Sequence, residues 1–301
     1  MAVLALILVT AVWGVTFVQV KDAVEIYPLY AFLALRFAIA TLALAPATIV
    51  RLSHVRGTVP RTWPKGTGVA AFLGLLLAAG YALQTEGLAR TTVSSTGFIT
   101  GLYVVFTPLL ALVVFRQRIG VAVWLGVALS VAGLAMLSGI HGGSATGDAL
   151  VLASSAVYSL QIVVLERVAQ RFDPVVLTFV EMLAAGAAVC AIAAARSDFE
   201  TPRGWTVWGA LLVTGLFASA LGFLVQTWAQ RRTSATRTAL AFAMEPAWTA
   251  LFGYTLAGDR LGALGWGGCA AILTGIVLAE PAASATLRRF LVRPVDLLPS
   301  D

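Results

Sequence analysis

Three ionisable residues lie deep inside apolar runs: Arg36, Glu181 and Glu245. Each stands roughly two helical turns from the nearer end of its run, where a charge costs at least about 2.5–3.5 kcal/mol on insertion scales. Such residues are candidates for binding or proton chemistry. Glu245 precedes Pro246, and the proline ring removes a backbone donor and disturbs the helix. A freed carbonyl beside a carboxyl group suits a substrate amine or a proton; the plainer alternative is a kink with an ion pair. Arg36 either binds a substrate carboxylate or neutralises Glu181 or Glu245, and pairing is favoured because an unpartnered buried guanidinium is costly. Glu86, near the end of its run, reads as structural.

Uncharged polar groups accompany them. Thr16, Gln19, Gln84, Thr100, Tyr103, Tyr158, Gln161 and Gln226 all fall in apolar stretches. Lipid offers them no hydrogen-bond partner, so they are expected to face a bundle interior. Some would bond between helices; others would line a cavity together with Trp13, Tyr103, Tyr158 and Trp248. Metal, cofactor and disulfide chemistry find no support: His54 and His141 are read as loop residues without ligand-spaced partners, and Cys190 and Cys269 lie inside apolar runs. No phosphate-cradling Gly-x-x-x-x-Gly-Lys-Ser/Thr loop is present, which argues against direct ATP drive.

The elements that must position these residues are membrane helices. Of 301 residues, 59% are hydrophobic and only 11% charged, and the mean hydropathy is +0.92. A soluble domain carries roughly 45–50% apolar and about 25% charged residues. The net charge of +6 is spread between apolar runs, where headgroups explain it better than nucleic acid does. About 20 apolar residues cross the hydrocarbon, and ten segments qualify: 2–20, 29–50, 67–86, 92–114, 120–139, 147–167, 174–195, 206–230, 235–257 and 262–280. The start of the chain reads as a first span and not a removed signal. Residues 281–301 read as a flexible basic cytoplasmic tail.

Orientation follows from Lys and Arg. With the N-terminus inside, fourteen fall in inside loops and five outside, Arg36 being within a span. Both termini are therefore expected in the cytoplasm and the protein in the inner (cytoplasmic) membrane. Trp63, Trp205 and Trp208 fall near span ends, as interfacial aromatics do.

The chain also matches itself. At an offset of 142, Gln84–Thr85 meets Gln226–Thr227 and Arg90–Thr91 meets Arg232–Thr233, followed by Arg118/Arg260, Gly120/Gly262, Trp124/Trp266, Gly126/Gly268 and Gly133/Gly275. Nine identities in one ungapped register indicate a tandem duplication, 1–140 and 141–280. Five spans per unit is odd, so the second copy must be inverted. The fold expected is thus all-α and integral to the membrane, ten transmembrane helices as two inverted five-helix repeats. Pro246 lies four positions, one helical turn, before the equivalent of Pro108, so each half carries a proline suited to a hinge. Inverted halves suit alternating access around a central site.

Several stretches carry a family resemblance: Trp13-Gly14-Val15-Thr16-Phe17, Leu35-Arg36-Phe37, Ala82-Leu83-Gln84, Thr91-Thr92, Gly97-Phe98, Leu102-Tyr103-Val104-Val105, Thr107-Pro108, Glu245-Pro246 and Gly258-Asp259-Arg260-Leu261. In order and spacing they resemble the EamA type of the drug/metabolite transporter superfamily, over about residues 1–280. Two departures are Asp259, where the family usually has glutamate, and the acid-free Arg116-Gln117-Arg118 turn. The resemblance implies a cavity built from spans 1–4 and 6–9, with spans 5 and 10 peripheral. It also implies a secondary transporter and not an enzyme, exporting a small metabolite (an amino acid or related amphipathic solute) or a xenobiotic. Proton coupling at Glu245 is the candidate drive. The partners expected are a small-molecule substrate and membrane lipids. Small-residue ladders at Gly97/Gly101, Ala122/Gly126/Ser130 and Gly267/Ala271/Gly275 suit packing within a monomer, a dimer through spans 5 and 10 being the alternative. A scaffold or lipid scramblase and an intramembrane enzyme are the competing functions, the latter disfavoured by the absence of a catalytic Ser/His pair or a His-Glu-x-x-His motif.

Overall fold

In the computed structural model, residues 1–54, 63–137, 144–256 and 262–279 are described, and the regular elements among them are helical. They run α1 (Ala2–Ile26), α2 (Leu29–His54), α3 (Trp63–Leu88), α4 (Val93–Gly101), α5 (Tyr103–Phe115), α6 (Val121–Leu137), α7 (Ala145–Val168) and α8 (Pro174–Arg196). Then come α9 (Gly204–Leu212), a π-helical segment (Val213–Leu221), α10 (Gly222–Gln230), α11 (Ala235–Phe242), α12 (Met244–Leu256) and α13 (Ala263–Ala279). Seven helical stretches are long and apolar enough to cross a membrane: α1, α2, α3, α4–α5, α7, α8 and α9–α10, with α6 and α13 shorter but apolar.

The surface explains the composition. Leu4, Leu8, Leu42, Ile49, Leu75, Val113, Leu125 and Val277 are among the large apolar side chains that point outward. Meanwhile Gln161, Glu181, Gln226 and Gln230 are at most 1% exposed. Apolar residues outside and polar groups inside suit a chain whose solvent is lipid.

Some boundaries differ from the sequence expectation. Helix α1 runs on to Ile26 and so includes Lys21, whose ammonium donates to the Thr91 carbonyl at 2.9 Å. His54 is the last residue of α2, not a loop residue. His141, Asp259–Arg260 and the tail 281–301 lie outside the described residues.

Local chemistry sets the breaks. The expected fourth span divides at Leu102, whose N–H bonds Ile99 O in a tightened turn, and the expected ninth divides at Ala243, whose N–H is shared by Ala239 O and Leu240 O. Thr92 caps α4 by accepting from Ser95 N at 3.0 Å, and Ser234 caps α11 through Arg237 N at 3.4 Å. Both hydroxyls satisfy a helix-end donor that would otherwise be orphaned. Pro246 sits in the first turn of α12, where a missing N–H is tolerated. Pro108 lies inside α5. Neither proline marks the break itself, since both interruptions lie upstream of the ring.

Helices approach closely where glycine permits it. Helices α6 and α13 pack on each other. A methyl on Gly126 would stand 2.5 Å from Gly275 O, and one on Gly133 would stand 2.5 Å from Gly268 O. Small residues of the expected ladders are thus used within the chain, although Gly97 has nothing within 4 Å. The first and second halves interlock: α2 and α3 pack on α8, α3 on α7, and α1 on α10, α11 and α12. Element ends also recur at the spacing of 142 residues that separates Tyr103 from Glu245. His54 and Arg196 end α2 and α8, Leu88 and Gln230 end α3 and α10, and α6 and α13 correspond at both ends.

Candidate functional site

A cavity of about 650 Å³, its open mouth included, lies between the halves. Its walls come from α1, α2, α3, α4, α5, α7, α10, α11 and α12. Helices α6 and α13 contribute nothing to it, as the family resemblance implies for spans 5 and 10. Helix α8 contributes nothing either, which departs from that expectation.

Ten of the residues singled out from sequence line this space: Trp13, Thr16, Arg36, Gln84, Thr100, Tyr103, Tyr158, Gln161, Gln226 and Glu245. Three do not. Gln19 lies on α1 outside the lining, with its side-chain oxygen buried and without a hydrogen-bond partner. Trp248 turns away, donating to Ile7 O at 3.1 Å and stacking on Phe252; it fastens α12 to α1. Glu181 faces inward from α8 but behind the wall formed by Gln161.

Arg36 is 3% exposed. Its Nε donates to Ser219 Oγ at 2.8 Å and a terminal nitrogen donates to Tyr81 Oη at 3.0 Å. The guanidinium carbon also lies 4.2 Å from the Tyr81 ring centroid, a cation–π contact. No carboxylate is within ion-pair distance of it among the described residues. The expected pairing of Arg36 with Glu181 or Glu245 is therefore not formed. The physical reason is neutral compensation: two hydroxyls and an aromatic face carry part of the charge and leave guanidinium hydrogens for a ligand.

Glu245, 6% exposed, stands elsewhere in the same cavity. Its Oε2 accepts from Tyr103 Oη at 3.2 Å. Its backbone is fixed by close approach to α1, where a methyl on Gly14 would lie 2.9 Å from Glu245 O. Thr249 Oγ1 joins the two, lying 3.1 Å from both Gly14 O and Glu245 O. The break at Ala243 turns α12 so that its first turn, with Glu245, faces the space that Phe242 closes from α11.

Aromatic rings make the remaining wall. Trp13 meets Phe242 edge-on at 4.8 Å and Phe223 at 5.6 Å, while its indole N–H donates to Ala218 O at 2.8 Å. Tyr81 meets Tyr158 and Phe37 edge-on at 5.5 Å. Tyr81, Phe223 and Phe242 were not among the sequence candidates. Tyr81 had a signal, since it precedes Gln84 by one helical turn on the same face.

The π-helical segment supplies both Ala218 O and Ser219 Oγ to the site. Segments of this kind frequently occur at functional sites. Gly215 within it packs on Ile39 and on Arg36 O, and so holds the segment against α2. Sequence reading gave no sign of it.

Two amide clusters flank the cavity. Gln84 donates to Thr100 Oγ1 at 3.0 Å and accepts from Tyr158 Oη at 3.2 Å. Gln226 donates to Gln161 Oε1 and Gln230 Oε1, both at 3.0 Å, and Gln230 donates to Ile162 O at 2.8 Å. Among the described residues no group of His, Cys, Asp and Glu could hold a metal ion.

The arrangement places a cation and a carboxyl group in one aromatic cavity, and its described lining holds no serine, cysteine or histidine. The family model of EamA-like transporters matches residues 1–139 and again 145–279. An uncharacterized transporter of Archaeoglobus fulgidus is 29% identical, over 92% of this chain and 85% of its own length. An uncharacterized transporter of Synechocystis is 27% identical, over 80% of each chain. A crystal structure described only as that of a protein superposes with a TM-score of 0.75 at 19% identity, covering 95% of this chain and 97% of the other, a likeness of fold. With its apolar helices and two family matches in tandem, this multi-pass membrane chain belongs to the EamA-like transporter family, within the drug/metabolite transporter superfamily.

Proposed function

We propose that the chain is a secondary transporter that moves a small amphipathic solute, with an amino acid as the leading class, out across the cytoplasmic membrane by alternating access. The observation that carries this reading is the cavity itself. Arg36 offers unfilled donors, Glu245 offers a carboxyl group, and Trp13, Tyr81, Phe223 and Phe242 supply apolar faces. A carboxylate on Arg36, an amine near Glu245 and a side chain against the rings would satisfy all three. Either charge alone would be costly to bury, whereas a zwitterion compensates both.

The architecture supports the mechanism. We read ten spans, counting α4–α5, α9–α10 and α11–α12 as one each, arranged as two inverted repeats at 1–140 and 141–280. The tandem family match, the recurring element ends and the Tyr103–Glu245 bond between register-equivalent residues all favour that reading. Both termini would lie in the cytoplasm by the arginine bias. The breaks at Leu102 and Ala243, near Pro108 and Pro246, would serve as hinges. Glu245 would carry a coupling proton when the amine is absent, because its carboxyl group has one hydroxyl donor and, among the described residues, no ion-pair partner.

The test is efflux from proteoliposomes loaded with a radiolabelled amino-acid panel, with and without a pH gradient, beside Glu245→Gln. Saturable efflux of one amino acid that depends on the gradient, with that dependence lost in the variant, is expected. Absence of flux for every amino acid would remove zwitterions as the cargo, and unchanged pH dependence in the variant would remove Glu245 as the proton carrier.

A further inference from the structure

Glu181 is a fully buried acid that the cavity does not use. It is 0% exposed, and it sits on α8, which lines no part of the cavity. Gln161 Nε2 donates to its Oε1 at 2.7 Å, and its Oε2 has no hydrogen-bond partner. Its backbone carbonyl is pressed against Gly74 of α3, so α8 has little room to shift locally.

The charged and titratable groups on the surrounding helices are occupied elsewhere. On α2, Arg36 is held by Ser219 and Tyr81, Arg51 stands 4.0 Å from Asp173, and Tyr30 lies under Arg196. On α3, Tyr81 receives Arg36, and Glu86 pairs with Arg90. On α7, Asp148 accepts from Thr91, Tyr158 donates to Gln84, Glu166 accepts from Gln117, and Arg167 lies over Phe115. Helix α10 and the π segment carry no charged residue. Among the described residues, Glu181 thus faces one amide and no cation.

An ionised carboxylate buried with a single neutral donor is strongly disfavoured. The neutral acid is not. Its one donor, Gln161, is also the residue that joins it to the cavity wall and to the ladder Gln161–Gln226–Gln230–Ile162. That ladder ties α7 to α10 beside Arg231, on the side where the arginine bias places the cytoplasm.

We propose that Glu181 is a proton-binding site whose occupancy holds the cytoplasmic side of the transporter closed. This rests on the transport reading and orientation given above. With the proton bound, Glu181 is a neutral neighbour of the ladder and α7, α8 and α10 stay packed. With the proton released to water, the carboxylate needs further donors, and separation of α10 from α7 supplies them. Closure binds the proton, so rising pH favours opening. Gln161, lining the cavity and touching Glu181, is the positioning residue that links cargo to proton.

The experiment measures opening directly. In a background with Cys190 and Cys269 replaced by serine, Ala229→Cys places a thiol beside Gln230, where the native residue is 0% exposed. An impermeant thiol reagent is applied to the cytoplasmic face across a pH series. Labelling, divided at each pH by that of the same protein unfolded in SDS so that the thiol's own ionisation cancels, should rise with pH, by up to about tenfold per unit for one coupled proton, and stay slow at every pH once Glu181→Gln is added. A flat profile without Glu181→Gln, or a rise that survives it, overturns the proposal. A second readout does not require that variant to fold. In Glu245→Gln protein, the infrared spectrum should keep a protonated-carboxyl stretch that titrates and that Gln161→Leu displaces. Absence of that band overturns the proposal too. Neither measurement uses flux, so failure of the transport reading and failure of this one are separable.

Discussion

Gln84 and Gln226 occupy the same register position, 142 residues apart, yet they are built into different kinds of wall. Gln84 bonds two hydroxyls, Thr100 and Tyr158, and is 8% exposed beside the open cavity. Gln226 is 1% exposed and bonds two further amides, Gln161 and Gln230, the second of which reaches the Ile162 backbone. Hydroxyls rotate and exchange partners with water at little cost, whereas Gln161 and Gln230 are each held at both amide ends and Gln226 is held by its N–H groups, its Oε1 having no partner. Removing one amide leaves the next unpaired, and an unpaired buried polar group costs about 1–3 kcal/mol. One part of the cavity wall thus ends on hydroxyls and another on a run of linked amides. Two glutamines 142 positions apart thus differ through their neighbours alone.

The comparison can be broken at several points. The largest effect should come from Glu245→Gln, which would abolish the proposed charge-assisted contact to a cargo amine. Such contacts contribute about 1.5–3 kcal/mol, so kcat/KM for the cargo should fall about tenfold to a hundredfold, read from initial efflux rates. Next, Arg36→Lys keeps the charge but loses the planar fork that reaches Ser219 and Tyr81 together. A fall in affinity of about tenfold is expected in binding to purified protein, consistent with loss of one charge-assisted bond. An unchanged Kd would mean that Arg36 serves only to fasten α2 to the π segment.

The amide ladder is read by stability. Gln226→Leu orphans Gln161 Oε1 and Gln230 Oε1 and should destabilise by about 2–4 kcal/mol, while Gln84→Leu should cost about 1 kcal/mol because its hydroxyl partners find water. Thermal unfolding in detergent compares the pair, and equal losses would erase the distinction. Gly14→Val, pressing on Glu245 O, should lower stability by about 1–3 kcal/mol through overpacking while leaving the amide ladder intact. Tyr158→Phe, which removes one of the two hydrogen bonds of Gln84, should cost no more than Gln84→Leu, about 0.5–1 kcal/mol.

Much of the site could be read from residue types alone. Gln84, Gln161, Gln226, Arg36 and Glu245 announce themselves because a polar group in an apolar run has few places to go, and ten of thirteen such residues do line the cavity. The exceptions are instructive. Trp248 and Gln19 share helices with true lining residues, but a helix face is about 100° per residue and sequence does not fix its rotation. Glu181 is buried as expected, yet it lies behind Gln161, a distinction of depth that burial cost by itself does not make. Tyr81 and Phe242 were hidden because aromatic residues are unremarked in lipid-facing helices.

By itself, the sequence determined the class and the family. Apolar runs of membrane length and the few polar residues among them are properties of residue order, and both follow from the absence of water in the bilayer core. Only the tertiary structure decided who meets whom. The contacts of Arg36 with Ser219 and Tyr81, the bond from Tyr103 to Glu245 and the seclusion of Glu181 join residues 20 to 183 positions apart. Such contacts depend on the rotation and crossing of whole helices, which are set by glycine contacts, capped breaks and a π-helical turn distributed over the entire bundle.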